Sequence, residues 1–372
     1  MPTVINYLTT IHFGSGAILE LPAILKQLGI LRPLLVTDTG LLQTGIPDRL
    51  QIPTATQFAD VESNPEESSV MRGVDVYRQG RCDGIVAVGG GSPIDCAKCI
   101  GLLTTHVPPI ENYAAIKGGL TKISASKPPL VAVPTTSGTG SEVGRAALVT
   151  TQAGEKLGII SPYMIPTAAI CDPDLTHELP PQLTAATGMD AISHCVETFC
   201  SPRYNPVADA IALDGLERAT KSIRHAVSDG HNAHHRNEMM MASLQGGLTF
   251  QKGLGMIHSL SHPLGGLKTK RLHHGTLNAI FLPHVLRFNM LSCLEKMERM
   301  AVALGRPDAA TLPEFFQGLI VDVGLPVTLS GMGLVESDFK GIAAAALRDH
   351  STECNPRKMT EADCEQLLHD AL

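Results

Sequence analysis

Tryptophan is absent and aromatic residues are only 4% of the chain, so any core must be built from aliphatic side chains. There is no dense basic run, and the net charge is −7, which argues against nucleic acid as a main partner. No stretch approaches ~18 consecutive apolar residues, so no membrane span is expected. The opening MPTVINYLTTIHFGSG lacks a basic segment followed by an apolar run, so no secretory leader is expected. Nine cysteines, an odd number without framework spacing, give no disulfide scaffold and suit reduced thiols in a cytoplasmic setting. Internal repeats and low-complexity segments are also missing.

What is present is a chain of 372 residues, 44% hydrophobic and 17% charged, enough for two domains with sizeable cores. Short apolar runs at 33–37, 83–88, 129–134 and 168–172 alternate with helical patterns at 18–28, at 67–79 and from 94 toward 103. That alternation predicts a parallel sheet. Residues 1–14 alternate weakly and read as a short strand pair. After Pro180 and Pro181 the pattern changes. Helical periodicity runs over 182–199, 206–228, 236–250, 276–303, 311–322 and 336–348, with almost no strand signal. We therefore expect an α/β dinucleotide-binding domain over 1–180 and an all-helical metal- and substrate-binding domain over 181–372. A cleft between the two halves is the expected ligand site.

The run at 83–88 leads into Gly89-Gly90-Gly91-Ser92-Pro93-Ile94-Asp95. Glycines let a backbone approach an anion, and the N–H groups of a helix start point at it. Ser92 suits the N-cap, Pro93 the first helical position, and Asp95 lies three past the cap. The alternative is an ordinary tight βα turn. The loop is not the Rossmann GxGxxG pattern, and it does not name its nucleotide. A second loop, 135–142 (TTSGTGSE), also follows a strand and offers hydroxyl donors to a pyrophosphate or a nicotinamide ribose, or else caps the next helix. Asp38 closes the run at 33–37. It either accepts from an adenosine ribose hydroxyl or is a solvated turn aspartate.

In the helical half, Asp190 and His194 are i and i+4, one turn apart on one face. His258 and His262 repeat that spacing in HSLSH, and His273 and His274 follow. Any one histidine on an apolar helix is usually a satisfied core residue. Three such segments together point instead to a divalent cation held by one carboxylate and three neutral imidazoles. His231, His234 and His235 lie in a polar, turn-like stretch and read as solvated surface. Cys96 and Cys99 form an unrepeated CxxC and read as buried thiols. Cys195 has no base to support it as a nucleophile.

GGGSPID at 89–95, TTSGTGSEV at 135–143, ATGMDAISHCVE at 186–197, HSLSHPLGG at 258–266 and HHGTLNAIFLPHV at 273–285 occur together and in order. This set resembles the iron-containing, or group III, alcohol dehydrogenase family, whose fold is dehydroquinate synthase-like. The resemblance implies metal ligands at Asp190, His194, His258 and His274, with His262 near the substrate and not a main ligand; the alcohol proton is expected to leave through His262, as the catalytic residue, or through the ribose hydroxyls. It implies a phosphate loop at Gly90, Gly91, Ser92 and Asp95, a second nucleotide loop at Thr135, Thr136, Thr139 and Ser141, and Lys156 near the cofactor ribose. Asp38 matches an acid that favours NAD. The implied cofactors are NAD and a divalent metal, Fe2+ ahead of Zn2+. YAAIKGG, FCSPRYNPVADAIALDGLER and FQKGLGMIHSLSHPLGGLK look most like 4-hydroxybutyrate dehydrogenases.

The expected reaction is interconversion of a primary alcohol and its aldehyde, 4-hydroxybutyrate and succinic semialdehyde being the leading pair. Alternatives are a glycerol dehydrogenase type, another small-alcohol dehydrogenase, a dehydroquinate synthase-like lyase or a non-catalytic nucleotide binder. A distal carboxylate needs a cation, for which Lys252, Lys268, Lys270 and Arg271 are candidates. A homodimer acting on a small molecule, with no nucleic-acid or membrane partner, completes the expectation.

Overall fold

A computed structural model of the chain describes residues 5, 7, 9–52, 55–152, 154–267 and 269–372. The chain divides into two compact units, Tyr7–Glu178 and Leu179–Leu372, each with cores of its own.

The first unit runs β1 (Thr10–Phe13), α1 (Leu21–Gln27), β2 (Pro33–Val36), α2 (Ile46–Arg49), β3 (Thr56–Phe58), α3 (Glu67–Gln79), β4 (Gly84–Gly89), α4 (Gly91–Leu103), β5 (Leu130–Pro134), β6 (Ala146–Thr150), β7 (Lys156–Ile160) and β8 (Ala168–Cys171). Six strands form one sheet in the order β1-β8-β5-β4-β2-β3, every pair parallel. Alternate residues of the central strands enter different cores. Leu34, Val36, Ile85, Ala87, Leu130 and Ala132 pack on one side with side chains of α3 and α4. Leu35, Val86, Val88, Val131 and Val133 pack on the other with Leu21, Ile24 and Leu25 of α1. Burial on both faces is why these strands read as unbroken apolar runs.

The runs at 33–37, 83–88, 129–134 and 168–172 are β2, β4, β5 and β8. The strand pair expected over 1–14 falls partly outside the described residues; within them, β1 pairs in parallel with β8. The three-residue β3 and the antiparallel ribbon of β6 and β7 were not expected. Each ribbon strand buries only every second residue, so no continuous apolar run marks it. Helix α4 begins two residues earlier than its cap chemistry suggested. Gly90 is the N-cap, and the Ser92 hydroxyl donates to the Ser63 carbonyl at 2.7 Å instead of capping.

The second unit is helical: α5 (Pro181–Cys200), α6 (Pro206–Ser228), α7 (Ala233–Leu248), α8 (Met256–Gly265), α9 (His274–Asn289), α10 (Leu294–Ala303), α11 (Leu312–Asp322), α12 (Ile342–Arg348) and α13 (Glu361–Asp370). Helix α5 is its axis. Every residue from Thr184 to Cys200 is buried, with α6, α7 and α9 packed around it. A helix buried on all sides must satisfy its polar side chains internally. Thr187, Ser193 and Thr198 do so by donating to the carbonyls of Leu183, Met189 and His194 at 2.7–2.9 Å.

The single helix expected over 276–303 is two, because the chain turns after Asn289, whose buried amide pairs reciprocally with that of Asn355 at 2.9 Å. The helix expected over 336–348 starts only at Ile342, after Gly341 at φ 78°. No helix among the described residues is long and apolar enough to cross a membrane. None of the nine cysteines is in a disulfide, and Cys96 and Cys99 are fully buried in the α/β core as expected.

Ile85 is fully buried in β4, whereas Leu31 is 73% exposed. Ile85→Ala should cost about 3 kcal/mol and Leu31→Ala less than about 0.5 kcal/mol. Urea unfolding followed by far-UV circular dichroism measures both, since the chain has no tryptophan to report.

Candidate active site

Helices α5, α8 and α9 each bring polar side chains to one buried point. Asp190 and His194 come from α5, His258 and His262 from α8, and His274 and Asn278 from α9. The close approach of α9 depends on Gly275, where a Cβ would lie 2.1 Å from the Ala186 carbonyl oxygen of α5. The approach of α7 depends on Gly246, whose Cβ would lie 3.1 Å from the His194 Cβ.

Asp190 Oδ1 lies 3.5 Å from His194 Nε2, 3.7 Å from His258 Nε2 and 3.7 Å from His274 Nε2. Four ligand atoms about 2.1 Å from a common tetrahedral centre would stand roughly 3.4 Å apart, so the spacing fits a divalent cation. The donor set of one carboxylate and three imidazoles suits the same borderline ions. Asp190, His194 and His258 are all buried, with ligand atoms within 4.8 Å of one another. Burial alone would raise the Asp190 carboxyl, but His194, His258 and His274 outweigh it and hold it well below the usual carboxylate range. Burial likewise disfavours a charged His258, yet Glu197 and Asp190 lift that ring to about 9. A metal cation would feel the same negative field.

Two further groups complete the cluster. Glu197 is buried one turn beyond His194. Its Oε1 accepts the Ile257 backbone N–H at 2.6 Å, and its Oε2 meets His258 Nδ1 at 2.5 Å. A proton on Nδ1 leaves the Nε2 lone pair toward Asp190, the tautomer a metal needs. Asn278 Nδ2 donates to Asp190 Oδ1 at 2.7 Å and lies 3.1 Å from the Nε2 atoms of both His258 and His274. Neither residue was chosen from the sequence, although each carries a local signal. Glu197 is i+3 from His194 and Asn278 is i+4 from His274, so each shares a helix face with a chosen residue. His262 stacks on His274 with ring centroids 5.3 Å apart, and its Nδ1 meets Asp349 Oδ2 at 2.8 Å.

In the α/β unit the glycine and hydroxyl loops leave adjacent parallel strands in register, Gly89 opposite Pro134. Asp38 follows β2, which pairs on the other side of β4. Three segments chosen from the sequence thus reach the carboxyl ends of neighbouring strands, where ligands of open α/β sheets bind. A Cβ on Gly91 would lie 2.8 Å from Thr139 Cγ2, and one on Gly90 3.4 Å from Thr136 Cγ2, so the two loops abut.

Asp95 and Ser141 brace these loops. Asp95 Oδ1 accepts the Ser141 hydroxyl at 2.6 Å, and its Oδ2 accepts the Leu148 N–H at 2.9 Å. The fully buried Lys98 donates to Ser141 Oγ, Gly144 O and Ala146 O at 2.8–3.0 Å. The Thr135 N–H donates to Gly89 O at 3.0 Å, and Thr139 Oγ1 accepts the Ser141 N–H at 3.3 Å. Ser137 holds a buried hydroxyl with no hydrogen-bond partner among the described residues, which suits a loop shaped for a ligand. Asp38 Oδ1 accepts the Leu41 N–H at 2.8 Å, and Lys156 Nζ donates to Asn64 Oδ1 at 2.9 Å.

Of the cations expected for a substrate carboxylate, two are already committed. Lys252 is buried and bonds Asp209 and the Phe199 carbonyl; Lys270 pairs with Asp338 at 2.6 Å and bonds the Gly333 carbonyl. Lys268 lies outside the described residues, and Arg271 is exposed. His231 and His234 are exposed and His235 half-buried, matching the surface reading of that cluster. Cys195 is fully buried, and burial pushes its thiol up to about 12, so it is no nucleophile.

Comparison with known proteins agrees with this geometry. The family model described as iron-containing alcohol dehydrogenase matches residues 9–173, and that of the C-terminal part of the Fe-containing alcohol dehydrogenase family matches 184–372. The 4-hydroxybutyrate dehydrogenase of Cupriavidus necator is 47% identical over 99% of both chains. The 1,3-propanediol dehydrogenase of Citrobacter freundii is 39% identical over 96% of both. Among solved structures, a 1,3-propanediol oxidoreductase superposes with TM-score 0.94 at 37% identity over the whole of both chains. The sulfoacetaldehyde reductase of Bifidobacterium kashiwanohense, solved with NAD+, gives 0.91 at 28% identity over 100% of this chain and 99% of that one. The protein is thus an oxidoreductase that acts on alcohols. More particularly, the chain belongs to the iron-containing alcohol dehydrogenase family.

Two outcomes test the site's construction. Gly275→Ala should lower the melting temperature, by overpacking worth about 1–3 kcal/mol. Gly265→Ala should be tolerated, since its Cβ would meet nothing nearer than Leu277 Cδ1 at 4.0 Å. The second concerns Glu142, fully buried, with Oε1 lacking a hydrogen-bond partner among the described residues. Burial pushes its carboxyl up to about 7, its own backbone N–H and Lys98 only partly offsetting this. The folded state therefore holds a proton that the unfolded carboxyl releases near 4.5, and stability falls as pH rises between 4.5 and 7. Glu142→Gln should remove that loss, worth roughly 3 kcal/mol. It should be more stable than the parent at pH 8 and equal to it near pH 4.5 in urea titrations.

Proposed function

We propose that this enzyme interconverts 4-hydroxybutyrate and succinic semialdehyde, using NAD and a divalent ion, Fe2+ ahead of Zn2+. The full-length identity to the Cupriavidus necator 4-hydroxybutyrate dehydrogenase carries the choice of substrate. The convergence of three imidazole nitrogens on the Asp190 carboxylate carries the choice of chemistry.

A divalent ion supplies Lewis acidity toward the substrate oxygen, and NAD supplies the hydride acceptor. Asp190, His194, His258 and His274 hold the ion, and Glu197 keeps His258 in the ligating tautomer. His262 receives the alcohol proton during oxidation and returns it during reduction. Gly90, Gly91 and Ser92 receive the pyrophosphate through backbone N–H groups at the start of α4. Thr135, Thr136 and Thr139 offer hydroxyls to the nucleotide, while Asp95 and Ser141 hold the loop that carries them. Lys156 serves the cofactor ribose. Asp38 accepts from the adenosine ribose and repels a 2′-phosphate, which favours NAD over NADP. Arg271, exposed and three residues before His274, is the cation for the distal carboxylate. The working form is a homodimer.

A neutral diol is the second reading, favoured by the 1,3-propanediol dehydrogenases among the relatives. Aldehyde-dependent NADH oxidation after loading with Fe2+ or Zn2+ in turn separates the two. Succinic semialdehyde should be preferred over butyraldehyde, lactaldehyde and glyceraldehyde. Arg271→Ala should raise its Michaelis constant roughly ten- to hundredfold and leave butyraldehyde unaffected. Equal kcat/KM on charged and neutral aldehydes would end the 4-hydroxybutyrate assignment and leave the dehydrogenase intact. Asp190→Ala should bind neither ion, as read by metal analysis after gel filtration.

A further inference from the structure

Behind His262 stands a residue with no local mark in the sequence. Asp349 follows the last turn of α12 as its C-cap, 87 residues from His262 in the chain. Its Oδ2 lies 2.8 Å from His262 Nδ1, and its Oδ1 accepts the Ser351 backbone N–H at 2.8 Å. Both side chains are largely buried, at 8% and 13% exposure. On the other side of the carboxylate, His350 Nδ1 lies 3.6 Å from Oδ1, and its ring stacks on His262 at 5.5 Å. The His262 ring is confined between neighbours: face to face with His274, edge to His258, stacked with His350.

We propose that Asp349 is the positioning residue of His262, taking its Nδ1–H so that Nε2 remains the unprotonated nitrogen that receives the alcohol proton. This rests on the reading of His262 given above. The logic is that of any carboxylate–imidazole pair. A ring with one acceptor fixed on Nδ1 has one tautomer and one orientation, and its other nitrogen is a base. In oxidation the substrate O–H proton passes to Nε2 while the Nδ1–H stays in place. The ring becomes an imidazolium against the carboxylate, and the proton returns to solvent or, in reduction, to the substrate oxygen. In this proton transfer only the substrate O–H bond breaks and only the Nε2–H bond forms; the hydride of the oxidation would leave the alcohol carbon for NAD.

Two other roles for the same atoms are weaker. Asp349 could itself take the proton onward toward His350. Burial would favour a neutral carboxyl, but His262 and His350 outweigh it and hold Asp349 well below the usual carboxylate range. So acidic a group orients a ring and does not accept from it. The three residues could also hold a second divalent ion, since they present ligand atoms within 4.8 Å of one another. The 2.8 Å separation of His262 Nδ1 and Asp349 Oδ2 is a hydrogen-bond length, shorter than the roughly 3.4 Å between two ligands on one tetrahedral ion.

The test uses the full-length enzyme loaded with zinc, as wild type, Asp349→Asn, Asp349→Glu and His262→Asn. Asp349→Asn should lower kcat about a hundredfold or more, with the Michaelis constant for NADH and the zinc content unchanged. Asp349→Glu should recover at least part of that loss. Beside the resonance of the His258–Glu197 pair, a second downfield imidazole N–H proton resonance should be present in wild type and absent from both the Asn variant at 349 and the His262 variant. If Asp349→Asn keeps kcat within threefold of wild type while His262→Asn is inactive, the inference fails and the reading of His262 stands. If both variants stay active, the reading of His262 has failed first and takes the inference with it. Loss of a second zinc equivalent on Asp349→Asn would make the group a metal ligand and overturn the proposal. Should the Asn variant not fold, the second resonance decides alone. A wild-type spectrum without it, or one in which His262→Asn leaves it in place, rejects the hydrogen bond.

Discussion

One buried carboxylate governs the helical unit. Asp190 lies at the midpoint of a helix with no solvent-facing side over its last 17 residues. A carboxylate taken out of water in that way is tolerated only if charge or strong donors surround it. His194, His258, His274 and Asn278 do so from three helices, all within 3.7 Å of Oδ1. Helices α8 and α9 must therefore reach α5 closely at this level, and the glycines at 275 and 246 are where side chains have been removed to let neighbouring helices in. The packing of the unit and the chemistry of the site are the same constraint.

Behind the inner shell the same device appears twice. Glu197 takes Nδ1 of His258, and Asp349 takes Nδ1 of His262. Both fix a tautomer and leave Nε2 with its lone pair. The consequence differs with the neighbour. His258 Nε2 faces the Asp190 cluster at 3.7 Å, so it is fitted to ligate. His262 stacks on His274 beside the cluster, and its remaining nitrogen is the one proposed above to carry a proton.

The α/β unit solves a different problem, holding two polar loops still without a ligand. Lys98 and Asp95 on α4 reach across to Ser141 and the start of the ribbon. These bonds fix the loop backbones before any nucleotide arrives, which reduces the ordering that binding would otherwise require. A buried lysine tolerates its position because three acceptors and a carboxylate surround it.

Elements with strong short-range periodicity were legible from the sequence. Helices α3 and α6 match to the residue, and β2, β4, β5 and β8 match closely, because a strand buried on both faces and an amphipathic helix each leave a local pattern. The two i,i+4 pairs of the site were legible for the same reason, as was His274 once several motifs stood together. The β6–β7 ribbon and the break between α9 and α10 were not. Half-buried strands carry too few apolar residues, and the break is set by Asn355, 66 residues away. The same limit applies to side chains. Nothing near Lys252 announces that Asp209 will claim it, and nothing near Asp349 announces His262. Sequence by itself determined which helix faces carry carboxylates and imidazoles, since that is fixed by 3.6-residue spacing. Only the tertiary structure decided which of those faces meet, which cations are already consumed, and which carboxylate stands behind which ring, because those pairings are made by packing between residues distant in the chain.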